Sequence, residues 1–246
     1  MKVGSTGGNL LPKTNINIAH RGYHYGGIWE NTAEAFKAAG EAGFYGCETD
    51  VRFDANGNLV CAHNFSGNGG IHEKTPTFKE YLQICKDYGM TAIIDLKYKN
   101  GTGKDKTGLS PAIIKEIQEM GMMDSCVIQT NNYSDIPTIR QTSSDARIWL
   151  LTEASIGNKE LELIQNNQVE AVNLHSGVNA SPGTIKKLNE MGVETCVWGV
   201  FTQEGKNTHI RGGANYIMSD NLLDTTPYVE NNQENNQENN EQEKKN

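Results

Sequence analysis

Short apolar, β-branched runs alternate with segments of helical period from about residue 16 to residue 220, and the titratable side chains fall late in the first three runs. Eight such runs joined mostly by single helices predict a (β/α)8 barrel, whose usual length of about 250 residues the chain of 246 matches. A doubly wound sheet is the alternative. The barrel is preferred because its strand ends converge on one mouth, which is where late-strand polar residues belong.

The elements follow in order. Residues 1–14 hold Gly4, Gly7, Gly8 and Pro12 among small polar residues and read as a flexible lead-in. The barrel is assigned to 15–229, with strands expected at 15–20, 45–53, 91–98, 126–130, 147–152, 171–175, 194–200 and 215–219. Helices are expected at 32–41, 77–88, 111–120, 159–165 and 182–191. Gly43, Gly89, Gly121 and Gly192 follow four of these as C-terminal caps, and Ser110-Pro111 and Ser181-Pro182 repeat an N-cap followed by proline at the first helical position. The Asn56-Gly57 pair between two apolar runs predicts a β-hairpin after strand 2, ending at His63. Residues 230–246 contain seven Asn, three Gln, five Glu and two Lys with nothing apolar, and read as a disordered tail or linker.

Composition excludes several classes. With 22 basic and 30 acidic residues the net charge is −8, of which the tail carries −3, so the chain is not built to coat nucleic acid. No run of 18 residues is apolar enough to span a bilayer, so no membrane insertion is expected. The five cysteines are odd in number, lack a CxxC pair and lie mostly in apolar runs, which predicts buried free thiols rather than a disulfide framework.

The chemistry gathers at the strand ends. His20-Arg21 closes the first run, placing an imidazole beside a fixed cation. In the second, Glu48 and Asp50 are two residues apart and face the same side of a strand. Two carboxylates at that spacing repel unless a cation lies between them, and a hard divalent ion is the usual answer. Asp95 and Lys97 repeat the spacing in the third run, as a third oxygen ligand and a phosphate-binding cation, and His63 returns to the mouth at the end of the hairpin. Alone, His20-Arg21 reads as an ordinary strand end and His63 as a surface turn, while an ordinary ion pair is the alternative for Glu48 with Asp50 and for Asp95 with Lys97. Together they suit metal-assisted cleavage of a phosphodiester, with Arg21 and Lys97 on the phosphate and one imidazole as base, the other as acid. His175, ending the sixth run, and Gln129, late in the fourth, are further candidate substrate contacts; His24 and His72 read as solvated loop residues, and His209 as surface.

His20-Arg21-Gly22, Glu30-Asn31-Thr32, Glu48-Thr49-Asp50-Val51, the hairpin to His63 and Asp95-Leu96-Lys97 resemble, in order and spacing, the signature of the glycerophosphodiester phosphodiesterase family. The resemblance spans roughly residues 16–224. It implies a TIM barrel, one divalent cation, Ca²⁺ or Mg²⁺, bound by Glu48, Asp50 and Asp95, catalysis by His20 and His63, and phosphate contacts from Arg21 and Lys97. It adds Glu30 as an acid near the site and Trp198 as an aromatic lining of the pocket. Departures are Asp95 where the family usually has Glu, Asn64 after His63 in place of Asp, Trp29 before Glu30-Asn31 in place of Pro, and Gly199-Val200-Phe201 after Trp198 without the frequent Asn. Only about 30 residues separate His63 from Asp95, so the insertion common in relatives shrinks to a glycine-rich loop at 66–70. An open mouth follows, expected to favour a bulky or polymeric glycerol-phosphate diester, such as a teichoic-type polymer, over a small-molecule one such as glycerophosphocholine.

Two other readings compete. A phospholipase C or sphingomyelinase D type of enzyme shares the barrel and the diester chemistry, but no apolar loop for docking on lipid stands out. A glycerol-phosphate polymer-binding module with lost catalysis is the second, attached to a larger assembly through flexible ends. Without a signal segment, location is expected in the cytoplasm or outside by release without one, on a cell or virion surface.

Overall fold

The computed structural model describes residues 17–98 and 108–223. The expected lead-in, the first two positions of the strand expected at 15–20, and the tail lie outside the described residues.

Among the described residues, eight parallel strands close into a barrel: β1 Asn17–Ala19, β2 Gly46–Phe53, β4 Thr91–Leu96, β5 Cys126–Thr130, β6 Ile148–Thr152, β7 Ala171–His175, β8 Glu194–Trp198 and β9 Tyr216–Ser219. Closure comes from β1, which pairs in parallel with β2 (Ile18 opposite Gly46) and with β9 (Ile18 opposite Met218). β3, Leu59–Cys61, is the return of the expected hairpin, antiparallel to β2 with Val51 opposite Cys61 and Phe53 opposite Leu59. The helices α1 Ala33–Glu41, α2 Phe78–Tyr88, α3 Leu109–Glu119, α4 Ile136–Thr142, α5 Asn158–Asn166, α6 Pro182–Glu190 and α7 Gln203–Arg211 fill the connections. The TIM barrel expected from the strand count is the observed fold.

Two residue types inside make the closure work. Ile18, Ile93, Val127, Trp149, Ala171, Cys196, Tyr216 and Met218 form a buried cluster from alternate positions of seven strands, the filled interior a barrel requires. β2 gives Gly46 there instead of a side chain: a Cβ on it would lie 2.8 Å from Ile93 Cδ1 and 2.9 Å from the Thr91 carbonyl oxygen. Outside, α1, α2, α3, α5 and α6 lay their apolar faces on the strands.

Local signals hold at most ends. Thr77 and Glu80 form a capping box at α2, Gly89 ends it in the left-handed conformation, and Ser181 caps α6 by accepting from the Thr184 N–H. Ser110 does not cap α3, because the helix begins earlier, at Leu109, and Ser110 is buried within its first turn. α4 and α7 were not among the expected helices. α4 has only seven residues, and α7 is polar with Lys206 as its buried residue, so neither carries a clear apolar stripe. All five cysteines are free and buried.

Candidate active site

The inward-facing positions of β2 and β4 continue past the apolar interior into charge. Glu48, Asp50 and Asp95 are 2%, 1% and 4% exposed, and each offers an oxygen within 4.8 Å of the others. Register explains the meeting, since Asp50 stands directly opposite Asp95 in the parallel pair. Lys97 leaves β4 on the same side and places Nζ 2.5 Å from Asp95 and 3.1 Å from Asp50.

Arg21 is shaped by its backbone. It adopts φ 55°, a left-handed conformation uncommon outside glycine, followed by Gly22 at φ 80°, where a Cβ would come within 2.7 Å of Ala35 Cβ. The turn is held from both sides: Arg21 N–H donates to Glu48 Oε2 at 2.9 Å, and its carbonyl accepts the Asn31 N–H at 2.9 Å. The guanidinium then spans two carboxylates, 3.0 Å from Glu30 and 3.1 Å from Asp50. Asn31 donates to Asp50 at 2.8 Å and accepts from Thr49 at 2.7 Å, locking the first βα loop onto β2.

The two histidines are held differently. His20 Nδ1 lies 2.7 Å from Asp220 Oδ1, at the end of β9. Burial opposes its protonation, yet the Asp220 hydrogen bond and the nearby Glu48 raise its pKa above the ordinary value, while Asp220 is held well below the carboxylate range despite its own burial. His63 sits on the hairpin return, where Arg52 donates to its carbonyl at 2.8 Å and Asn64 Oδ1 lies 3.2 Å from its Nδ1. Burial, with Arg21 and Lys97 adding to it, lowers the His63 pKa.

The carboxylates share too few cations. Burial pushes all three towards the neutral form, but Lys97 and Arg21 both face Asp50 and hold it below its ordinary value. Asp95, with Lys97 and a Gln129 hydrogen bond against burial and Asp50, stays raised, and Glu48 is driven up to about 8 by burial and Asp50. This charge deficit is the fit test for a divalent cation: three buried oxygen donors close enough to share one ion, one of them unable to ionise comfortably without it.

His20, Arg21, Glu48, Asp50, His63, Asp95, Lys97 and Trp198 line one cleft of about 190 Å³ at the barrel mouth. Glu30 stands behind it, on Arg21. His175 is not on the lining: its Nδ1 accepts the Gly177 N–H, and its ring meets Trp198 edge to face at 4.5 Å. Gln129 lines the cleft and accepts from Asn173, whose Oδ1 is buried and without a hydrogen bond. His24 and His72 are not free in solvent, since His24 Nε2 lies 3.4 Å from Asp220 and His72 packs edge-on against Trp29. The rim is also more apolar than expected, with Tyr25, Trp29, Val178 and Phe201 more than half exposed on the loops after β1, β7 and β8. Sequence reasoning assigned no role to Asp220, Arg52, Asn173 or Glu153, the last a fourth carboxylate on the lining. Asp220 carried the signal used elsewhere, a polar residue at the end of a strand, whereas Asn173 lies in the middle of β7.

A TIM barrel that converges two histidines, three carboxylates and two phosphate-seeking cations on one cleft belongs to the class of barrels with phosphodiester sites. Residues 20–69 match the Glycerophosphoryl diester phosphodiesterase family. The glycerophosphodiester phosphodiesterase of Caldanaerobacter subterraneus subsp. tengcongensis is 24% identical over 232 residues, covering 82% of this chain and 93% of that protein. Glycerophosphodiester phosphodiesterase 1 of Bos taurus is 23% identical over 279 residues, covering 89% and 82%. Among solved structures, a glycerophosphodiester phosphodiesterase from Parabacteroides distasonis superposes with a TM-score of 0.73 at 22% identity, covering 84% and 93%. An Oleispira antarctica phosphodiesterase, solved with the product sn-glycerol-3-phosphate, gives 0.73 at 18%, covering 83% and 92%. The chain is glycerophosphodiester phosphodiesterase-like in fold and signature.

Proposed function

We propose that this chain hydrolyses glycerophosphodiesters with a divalent cation, Ca²⁺ or Mg²⁺, and two histidines. The observation that carries the reading is the convergence of His20, His63, Glu48, Asp50, Asp95, Arg21 and Lys97 on a single cleft. Glu48, Asp50 and Asp95 would hold the cation, which would neutralise phosphoryl charge and acidify the attacking water or hydroxyl. Arg21 and Lys97 orient the phosphate and offset the charge that builds on its oxygens. Asp220 fixes the His20 ring through Nδ1 and stabilises the imidazolium, the arrangement suited to a base that takes the proton of the attacking water or hydroxyl. His63, whose proton is made easier to lose by burial and two neighbouring cations, gives it to the departing oxygen. Trp198 walls the cleft and is braced by His175.

The short loop after His63 supports acceptance of bulky and polymeric glycerol-phosphate diesters beside small ones. Release of glycerol phosphate from glycerophosphoethanolamine and from a glycerol-phosphate polymer, with and without EDTA, tests the reading. Activity is expected on both, abolished by EDTA and by His20→Ala; residual activity without metal, or full activity in the variant, overturns the mechanism, and inertness on the polymer removes the wider range. The exposed Tyr25, Val178 and Phe201 favour a second reading, in which the diester is presented at a lipid surface. Sedimentation with phosphatidylcholine vesicles that is lost in Phe201→Ser would support it.

A further inference from the structure

A second recess, of about 450 Å³, opens beside the catalytic cleft between the loop after β1 and the glycine-rich loop after β3. The two share a wall. Glu30, which lines the recess, is bonded to Arg21 in the cleft, and a Cβ placed on Gly69 would lie 3.0 Å from Glu30 Oε1 and 3.9 Å from His63 Cβ. A diester fixed by Arg21 and Lys97 therefore has the recess on the side of His63, the side of the departing oxygen in the mechanism above. The cleft itself, at about 190 Å³, is below the ~300–1,000 Å³ usual for pockets that enclose a whole small ligand, whereas the recess is within that range.

Its chemistry is selective. Trp29 offers a flat indole, 56% exposed, with His72 edge-on at 4.9 Å. His72 Nδ1 accepts the Lys74 N–H at 3.1 Å, which puts the proton of the neutral ring on Nε2 as a donor. The floor at 67–70 is three glycines and Asn68, so apart from the Asn68 amide it presents backbone to a ligand. A cationic alcohol gains little there, because the Glu30 carboxylate is committed to Arg21 and the Lys74 ammonium already lies 5.6 Å over the indole. An acyl chain would take the polar Glu30 and Asn68 side chains that line the recess out of water with no polar partner of its own to offer. A neutral ring with one apolar C–H face and a rim of hydroxyls suits the polar walls and, once the exposed Lys74 side chain moves aside, the indole face, without the charge repulsion a cationic alcohol would meet.

We propose that this recess binds a sugar ring carried on the leaving oxygen of the diester. The inference rests on the phosphodiesterase reading and names the alcohol that the site favours. Two diesters of glycerol 3-phosphate separate the outcomes: one esterified to the 6-hydroxyl of methyl glucoside, the other to ethanolamine. The ratio of their kcat/KM values is expected to favour the glucoside, to fall about tenfold in Trp29→Ala, and to return largely in Trp29→Phe, which keeps an aromatic face. An unchanged ratio in Trp29→Ala, or a preference for ethanolamine in the wild type, overturns the proposal. Failure to cleave either diester would sink the activity reading instead, and the recess is then judged by binding alone. Methyl glucoside should quench tryptophan fluorescence saturably in the wild type and not in Trp29→Ala; absence of saturation in the wild type refutes the sugar site.

Discussion

At the residue scale, the site turns on which cation faces which carboxylate. Asp220 and His20 show the principle most directly, since a 2.7 Å contact raises one pKa and depresses the other against burial. Asp220→Asn keeps the shape and removes the charge. A roughly hundredfold loss of kcat is expected from a misheld base. The limb of the pH–rate profile that requires neutral His20 should also move to lower pH, because the charge that raised its pKa is gone. A kcat loss without that displacement would assign Asp220 to structure alone. The chemistry-bearing residues of the first three strands were legible in the sequence, because alternation places Glu48 with Asp50 and Asp95 with Lys97. The His20 to Asp220 pairing was not legible: the partners are 200 residues apart, and closure alone brings them together.

At the element scale, β2 gives two of the three carboxylates and pairs with three other strands, so its seating decides the site. Gly46→Ala is expected to cost about 1–3 kcal/mol through overpacking against Ile93 and the Thr91 carbonyl, read as a lower denaturant midpoint at constant slope. A neutral substitution would mean that β2 has room to shift at Gly46 and that the close packing there does not set its seating. Ser181→Ala should cost about 1 kcal/mol by uncapping α6. Elements with strong periodicity or caps, such as α2 and α6, were found from sequence to within a residue or two. α4 and α7 were missed for a physical reason: one buries a short stretch and the other is a polar helix, so neither needs the stripe that periodicity detects.

At the scale of the whole molecule, the charge deficit links folding to pH and to cation binding. Glu48, at about 8 in the folded chain against its ordinary 4.5, favours a protonated native state. Its stabilising contribution is complete below about pH 4.5 and is lost as pH rises through about 8. His20, also raised, acts in the same direction above its ordinary 6.5, whereas His63, lowered, acts in the opposite one. Asp50 and Asp220, both depressed, contribute above the ordinary carboxylate range and lose their effect only in acid. The metal-free protein should therefore melt at lower temperature at pH 8.5 than at pH 6.5. Millimolar Ca²⁺ or Mg²⁺ should restore more at the higher pH, and Glu48→Gln should flatten the dependence. Equal melting of wild type and Glu48→Gln across this range would refute the assignment of the deficit to Glu48.

The junction of β1 with β9 joins the first and last strands at the site itself. Asn17 donates to the carbonyl of Leu223 at 2.6 Å, and His20 takes its partner from Asp220, so the first strand is completed by the last residues of the barrel. A ribosome-bound chain that has released seven strands already carries Arg21, both histidines and all three carboxylates, yet it has nothing to aim His20. In the proposed mechanism the base is therefore aimed only once the last strand is in place.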